Sequence, residues 1–157
     1  MTKQFFYTAG GWNEPLGRTR SVDMEFHIRC IMHPPIGVVC APVVGIRKHG
    51  ANFSGDPLIN ELGGIQILKY VLEHHPAARM YEKDLRDQIV LRSAQTAELA
   101  FELCDLTTTR KLFKDVPKPR QSRKQRLKNA ISTLPLQVGE LLCKGIALAK
   151  WKRLAHT

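Results

Sequence analysis

From residue 55 onward the apolar positions recur at helical spacing. Leu58, Leu62, Ile65, Leu68 and Leu72 are separated by steps of 4, 3, 3 and 4, which places them on one helix face. Asp56 followed by Pro57 supplies the start, with a side-chain acceptor at the N-cap and proline at the first helical position. Gly63-Gly64 weakens this helix by about 1 kcal/mol per glycine relative to alanine, so the pair predicts close packing against a neighbour. Pro76 ends the pattern. His74-His75 stands just before it, where histidine suits both capping and the helix dipole.

A longer pattern covers 78–106. Tyr81, Leu85 and Ile89 lie at steps of 4, and Val90, Ala94, Ala97, Phe101 and Cys104 continue at 4, 3, 4 and 3. Glu82 and Arg86 form a favourable i,i+4 pair. Thr107-Thr108-Thr109 combines poor helix propensity with capping chemistry and predicts a break before a new helical turn. Beyond it, Pro117 and Pro119 predict a rigid, extended linker over 110–120. A short helix over 121–133 then carries Leu127, Ala130, Ile131 and Leu134 on one side. After Pro135 a last helix over 136–155 is largely apolar at Val138, Leu141, Leu142, Ile146, Leu148 and Trp151. Lys150, Lys152 and Arg153 at its end complement the dipole.

The first 54 residues differ in kind. They hold four of the nine prolines together with Gly10-Gly11, so regular helix is not expected. The stretch Ile36–Ile46, IGVVCAPVVGI, is rich in valine and predicts a short β segment interrupted at Pro42. The expected fold is therefore mainly α: an irregular extended N-terminal arm, with a possible short β segment at 36–46, followed by four to five helices. The expected parts are an arm over 1–54, a helical core over 55–109, a basic linker over 110–120 and basic C-terminal helices over 121–157.

Charge sharpens this picture. The chain carries 24 Lys and Arg against 14 Asp and Glu, a net +10. Residues 110–128 alone hold nine of the basic residues and one acid, whereas 55–109 is net acidic. Concentrated charge points to a binding surface. Arg110, Lys111, Lys114, Lys118, Arg120, Arg123, Lys124, Arg126 and Lys128 are the candidate contacts to RNA or to an acidic partner. Arginine adds bidentate phosphate geometry to lysine's point charge. RNA suits such a mixture of extended segment and helix, although no RNP, KH, zinc-finger or helix-turn-helix pattern accompanies it.

Other features carry weaker signals. Phe5, Phe6, Tyr7 and Trp12 are candidate anchors of the arm in an apolar groove of a partner; stacking on unpaired bases is the other use of such rings. His27, Cys30, His33 and Cys40, in the spacing H-x2-C-x2-H-x6-C with His49 nearby, offer zinc-type ligands in an uncommon arrangement. Strand alternation would put His27 and Cys30 on opposite faces. Cys30, Cys40, Cys104 and Cys143 form no CxxC pair and are expected as reduced core thiols. A P-loop, a dinucleotide fingerprint, GxSxG and HExxH are all absent, so a non-enzymatic role without a cofactor is expected. No apolar run reaches the length of a membrane span: Leu134 to Ala149 is interrupted by Gln137, Glu140 and Lys144.

The first 21 residues carry Lys3, Arg18 and Arg20 with one acid, Glu14. That balance is like a mitochondrial targeting segment, but Gly10, Gly11 and Pro15 interrupt an amphipathic helix. The segment YTAGGWNEPLGRTR, about one-tenth of the chain, resembles the N-terminal part of a small matrix-side subunit of the cytochrome bc1 complex. The remainder does not follow that family's pattern. Two expectations follow. One is a structural subunit contacting rRNA and neighbouring proteins, as in a ribosomal or mitochondrial ribosomal particle. The other is a matrix-side accessory subunit of a respiratory or ATP synthase membrane complex, whose basic stretch meets acidic protein or anionic lipid headgroups. The expected compartment is mitochondrial, otherwise cytoplasmic.

Overall fold

A computed structural model describes residues 1–17, 20–33, 37, 39–45, 47 and 55–154. The described chain is mainly helical, with α1 (Lys3–Thr8), α2 (Val22–Ile31), α3 (Pro57–His74), α4 (Glu82–Glu102), α5 (Leu106–Phe113), α6 (Arg123–Thr133) and α7 (Leu136–Leu154). Three short 3-10 turns join them. The chain forms two compact units, Met1–His75 and Pro76–Thr157.

In the first unit, α3 starts and stops where its sequence indicates. Asp56 Oδ1 accepts from the Ile59 amide at 3.1 Å. At the other end, the His74 Nδ1–H donates to the Tyr70 carbonyl at 3.0 Å, and the two rings stack at 4.2 Å. Both histidines therefore finish a helix: the His75 amide closes onto the Val71 carbonyl. Gly63 is a close-packing position, because a Cβ there would stand 2.3 Å from the Arg20 carbonyl oxygen.

Helix also occupies part of the segment expected to be irregular. α1 and α2 are held by contacts that local spacing does not reveal. Gly10 and Gly11 adopt left-handed φ of 87° and 64° and turn the chain after α1. Arg29 then binds that turn. Its guanidinium donates to the carbonyls of Ala9 and Gly11 and pairs with the buried Glu25 at 2.8 Å. Phe26, 2% exposed, fills the space beneath. No strand forms among the described residues of the 36–46 stretch: Val39, Val43 and Val44 are 68, 73 and 77% exposed, with no neighbouring strand to complete a ladder. Arg18, Pro34, Pro35, Ile36, Val38, Ile46 and His49 lie outside the described residues.

The second unit is built around Phe101, Leu106, Ile131 and Cys143, contributed by α4, α5, α6 and α7. α4 ends earlier than its apolar pattern. Cys104 takes a left-handed φ of 58°, and Asp105 caps α5 through Oδ1 to the Thr108 amide at 2.9 Å. The three threonines thus sit inside α5 rather than before it, and Thr109 is fully buried. The linker is correspondingly shorter than 110–120. Arg110–Phe113 is helical, and Lys118–Arg120 forms a 3-10 turn. Proline constrains itself and the residue before it, so Pro117 leaves α5 untouched. Ser122 and Gln125 begin α6 with a reciprocal capping box. Gly139 lets α7 sit close, since a Cβ there would meet Leu106 Cδ1 at 2.6 Å and the Ile131 carbonyl at 3.1 Å.

Candidate nucleic-acid interface

The run α5, 3-10 turn, α6 carries all nine basic candidates, and the fold sorts them into two groups. Four serve the fold. Arg110 Nε donates to the Ser132 carbonyl at 2.7 Å. Arg120 pairs with Asp87 on α4 at 2.5 Å. Arg126 Nε donates to the Gln121 carbonyl at 3.2 Å. Lys128 pairs with Glu98 at 3.1 Å and stands over the Phe101 ring at 5.6 Å.

The other five, Lys111, Lys114, Lys118, Arg123 and Lys124, are exposed and make no side-chain hydrogen bond or ion pair with the described residues. Lys111 and Lys114 lie at the end of α5, Lys118 in the turn, and Arg123 and Lys124 in the first turn of α6. That last placement opposes the dipole. The N-terminus of a helix is its positive end, and α6 has no acid in its first turn. Two cations there cost about 0.3–1 kcal/mol each when exposed, and an arriving phosphate reverses that sign.

Beside this ridge lies an open groove of about 620 Å³, lined by Lys118, Gln121, Arg126, Asn129 and Thr133. Gln121 is buried and fixed: its Nε2 donates to the Val116 carbonyl at 2.8 Å, and its Oε1 accepts from Asn129 at 3.4 Å. The groove thus combines a fixed Gln121 with the apolar surface of Pro119 and Ala130, and Lys118 and Arg126 are its cations.

The aromatic candidates of the N-terminal segment are largely used within their own unit. Phe6 and Trp12 pack on Phe26 with ring centroids at 5.4 and 4.9 Å, and Phe5 meets the His33 ring edge-on at 6.0 Å. Tyr7, 66% exposed, is the most open of the four. His27 and Cys30 share helix α2, so helical rather than strand spacing governs them. Among the described residues no three His, Cys, Asp or Glu side chains come together as a metal site.

All four cysteines are free thiols. Cys143 is 1% exposed, and its Sγ–H donates to the Phe101 carbonyl at 2.9 Å. Burial, together with a hydrogen bond to Cys104, pushes its pKa from 9.0 up to about 12. Cys40, in contrast, is exposed.

The sequence signals did not show which cations would be left over, because Asp87 and Glu98 lie 33 and 30 residues from their partners. The outward face of α7 was also hidden in a uniformly apolar pattern. Leu141 and Leu148 are 74 and 61% exposed there, while Leu127 of the α6 stripe is 59% exposed. The side chains of Lys150, Trp151, Lys152 and Arg153 lie outside the described residues. Among the described residues no helix is long and apolar enough to cross a membrane. The chain matches no protein-family model, no curated protein and no solved structure.

Proposed function

We propose that this chain is a non-enzymatic structural subunit of a large ribonucleoprotein, an RNA-contacting ribosomal or mitochondrial ribosomal protein. The observation that carries the reading is the quintet of Lys111, Lys114, Lys118, Arg123 and Lys124 along one short run of chain, unpaired among the described residues. Arg120 and Lys128 are neutralised by acids of their own chain, and Arg110 and Arg126 are tied to backbone carbonyls; the other five hold counterions, whose release on meeting phosphate drives RNA binding. The helices behind the run fix its shape, and the quintet tracks a phosphate backbone. Neighbouring protein subunits hold the rest of the surface.

A second reading, a matrix-side accessory subunit of a mitochondrial respiratory or ATP synthase complex, draws on the exposed apolar side of α7, which suits docking on protein. Gradient sedimentation of native lysate separates the two. A heavy particle that RNase dismantles supports the ribonucleoprotein. A heavy particle that resists RNase and needs detergent for its release supports the membrane complex and overturns the first reading.

A further inference from the structure

The groove beside the basic ridge presents a hydrogen-bonding edge whose orientation the fold determines. A backbone carbonyl only accepts, so the Gln121 atom that faces the Val116 carbonyl at 2.8 Å is the amide nitrogen. Gln121 is 5% exposed and has no room to reverse, and its Oε1 is left to face Asn129. Asn129 therefore turns its own amide nitrogen inward, donating at 3.4 Å. Its Oδ1 and its second Nδ2–H have no partner among the described residues. An acceptor and a donor thus stand side by side on one planar amide that lines an open groove of about 620 Å³.

The pairing edge of a nucleobase matches this arrangement. Each RNA base carries a donor next to an acceptor on that edge: N6–H and N1 in adenine, N4–H and N3 in cytosine, N1–H and O6 in guanine, N3–H and O4 in uracil. A primary amide meets any of them with two hydrogen bonds. Pro119 and Ala130 supply apolar surface for the ring. Lys118 is exposed, and the terminal nitrogens of Arg126 make no hydrogen bond with the described residues, so both cations face incoming phosphate.

We infer that this groove takes one unpaired base of an RNA strand, with the pairing edge of the base on Asn129 and its flanking phosphates on Lys118 and Arg126. The inference rests on the RNA reading above and adds that the strand is single at this point, because a base within a duplex has no pairing edge to offer. A free nucleotide carries the same base and phosphate, but only a strand also reaches Lys111, Lys114, Arg123 and Lys124 along the ridge.

The test measures the affinity of the full chain, across a salt series, for two single strands of about twelve nucleotides, one of uridine and one of N3-methyluridine. The methyl group removes the N3–H donor and leaves ribose, ring and phosphates in place. The methylated strand is expected to bind about tenfold more weakly, the usual consequence of losing a bidentate base contact. Asn129→Leu is expected to bind both strands equally, and the salt slope is expected to be the same for both strands and both proteins. Asn129→Ala serves if Asn129→Leu does not fold, and the comparison of the two strands on the wild-type chain needs neither variant. Equal affinity of the wild-type chain for the two strands, with the salt slope intact, would overturn the base site and leave the RNA reading standing. A preference for uridine that survives at Asn129→Leu would overturn it too, as would uridine monophosphate competing as well as the strand. Absence of salt-dependent binding to either strand would overturn the RNA reading and the base site together.

Discussion

Arg110 donates from Nε to the carbonyl oxygen of Ser132 at 2.7 Å, and so ties the last turn of α6 to α5. Its Nη2 reaches the same oxygen and, at 3.4 Å, that of Leu134. Carbonyls in the last turn of a helix have no partner within it, so the guanidinium supplies what the helix lacks. Arg110→Ala is expected to destabilise the protein by about 1.5–3 kcal/mol, the range for a hydrogen bond to a charged group. Urea unfolding measures this. Arg110→Lys recovers only part of the loss, because an ammonium lacks the planar fork. Lys111→Ala, one residue away, shifts stability by less than about 0.5 kcal/mol.

Two glycines of α7 give opposite results under one substitution. A Cβ at Gly139 would press on Leu106 and on the Ile131 carbonyl, whereas Gly145 faces open space. Gly139→Ala is expected to cost about 1–3 kcal/mol through overpacking. Gly145→Ala is expected to stabilise by up to about 1 kcal/mol through helix propensity. Thermal unfolding of the two variants side by side checks this, and a fall in both midpoints would contradict the orientation of α7.

How much of this could be read from the sequence depended on where each determinant lay. α3 was legible because its signals are local: Asp56 caps, Pro57 leads and Pro76 stops. α2 was not, because its stability comes from partners about twenty residues away. Arg29 grips the turn at Ala9 and Gly11, and Phe26 meets Phe6 and Trp12. Tertiary packing of this kind overrides weak local propensity. The basic stretch was legible as a total but not in its division. Nothing near Arg120 or Lys128 announces Asp87 or Glu98. The capping box of Ser122 and Gln125 that starts α6 is a local signal that the pattern of apolar positions does not register.

The partly buried pair of Glu25 and Arg29 in the first unit makes another prediction. Glu25 is 4% exposed and is neutralised by Arg29. Arg29→Met leaves that carboxylate without its countercharge and releases the Gly10-Gly11 turn. The expected loss is about 3–5 kcal/mol, the usual consequence of breaking one side of a buried ion pair. Replacing both residues, as Glu25→Gln with Arg29→Met, is expected to recover part of it. Equal losses in the single and double variants would show that the turn, not the charge, dominates.

Cys143 sets a pH dependence. Its folded pKa, about 12, is above its ordinary value of 9.0 because burial disfavours the thiolate. The folded state therefore keeps a proton that the unfolded state loses. The resulting stability is fully present below pH 9 and declines as pH rises from there toward 12. Cys143→Ser is expected to flatten that decline. At pH 8, iodoacetamide is expected to label the exposed Cys40 and spare Cys143 until the protein is denatured. Peptide mapping before and after urea reads this out.

The central claim is that Lys111, Lys114, Lys118, Arg123 and Lys124 meet RNA phosphates while their paired neighbours hold the fold. The direct measurement is the dependence of single-stranded RNA affinity on salt, for the wild-type chain and for the variant K111Q/K114Q/K118Q/R123Q/K124Q. Each phosphate contact contributes about 0.7 to the slope of log K against log salt, so losing five flattens it by about 3.5. The account predicts that flattening together with an unfolding midpoint close to that of the wild type. A variant that keeps the wild-type slope, or a wild-type chain that binds RNA without salt dependence, would contradict it.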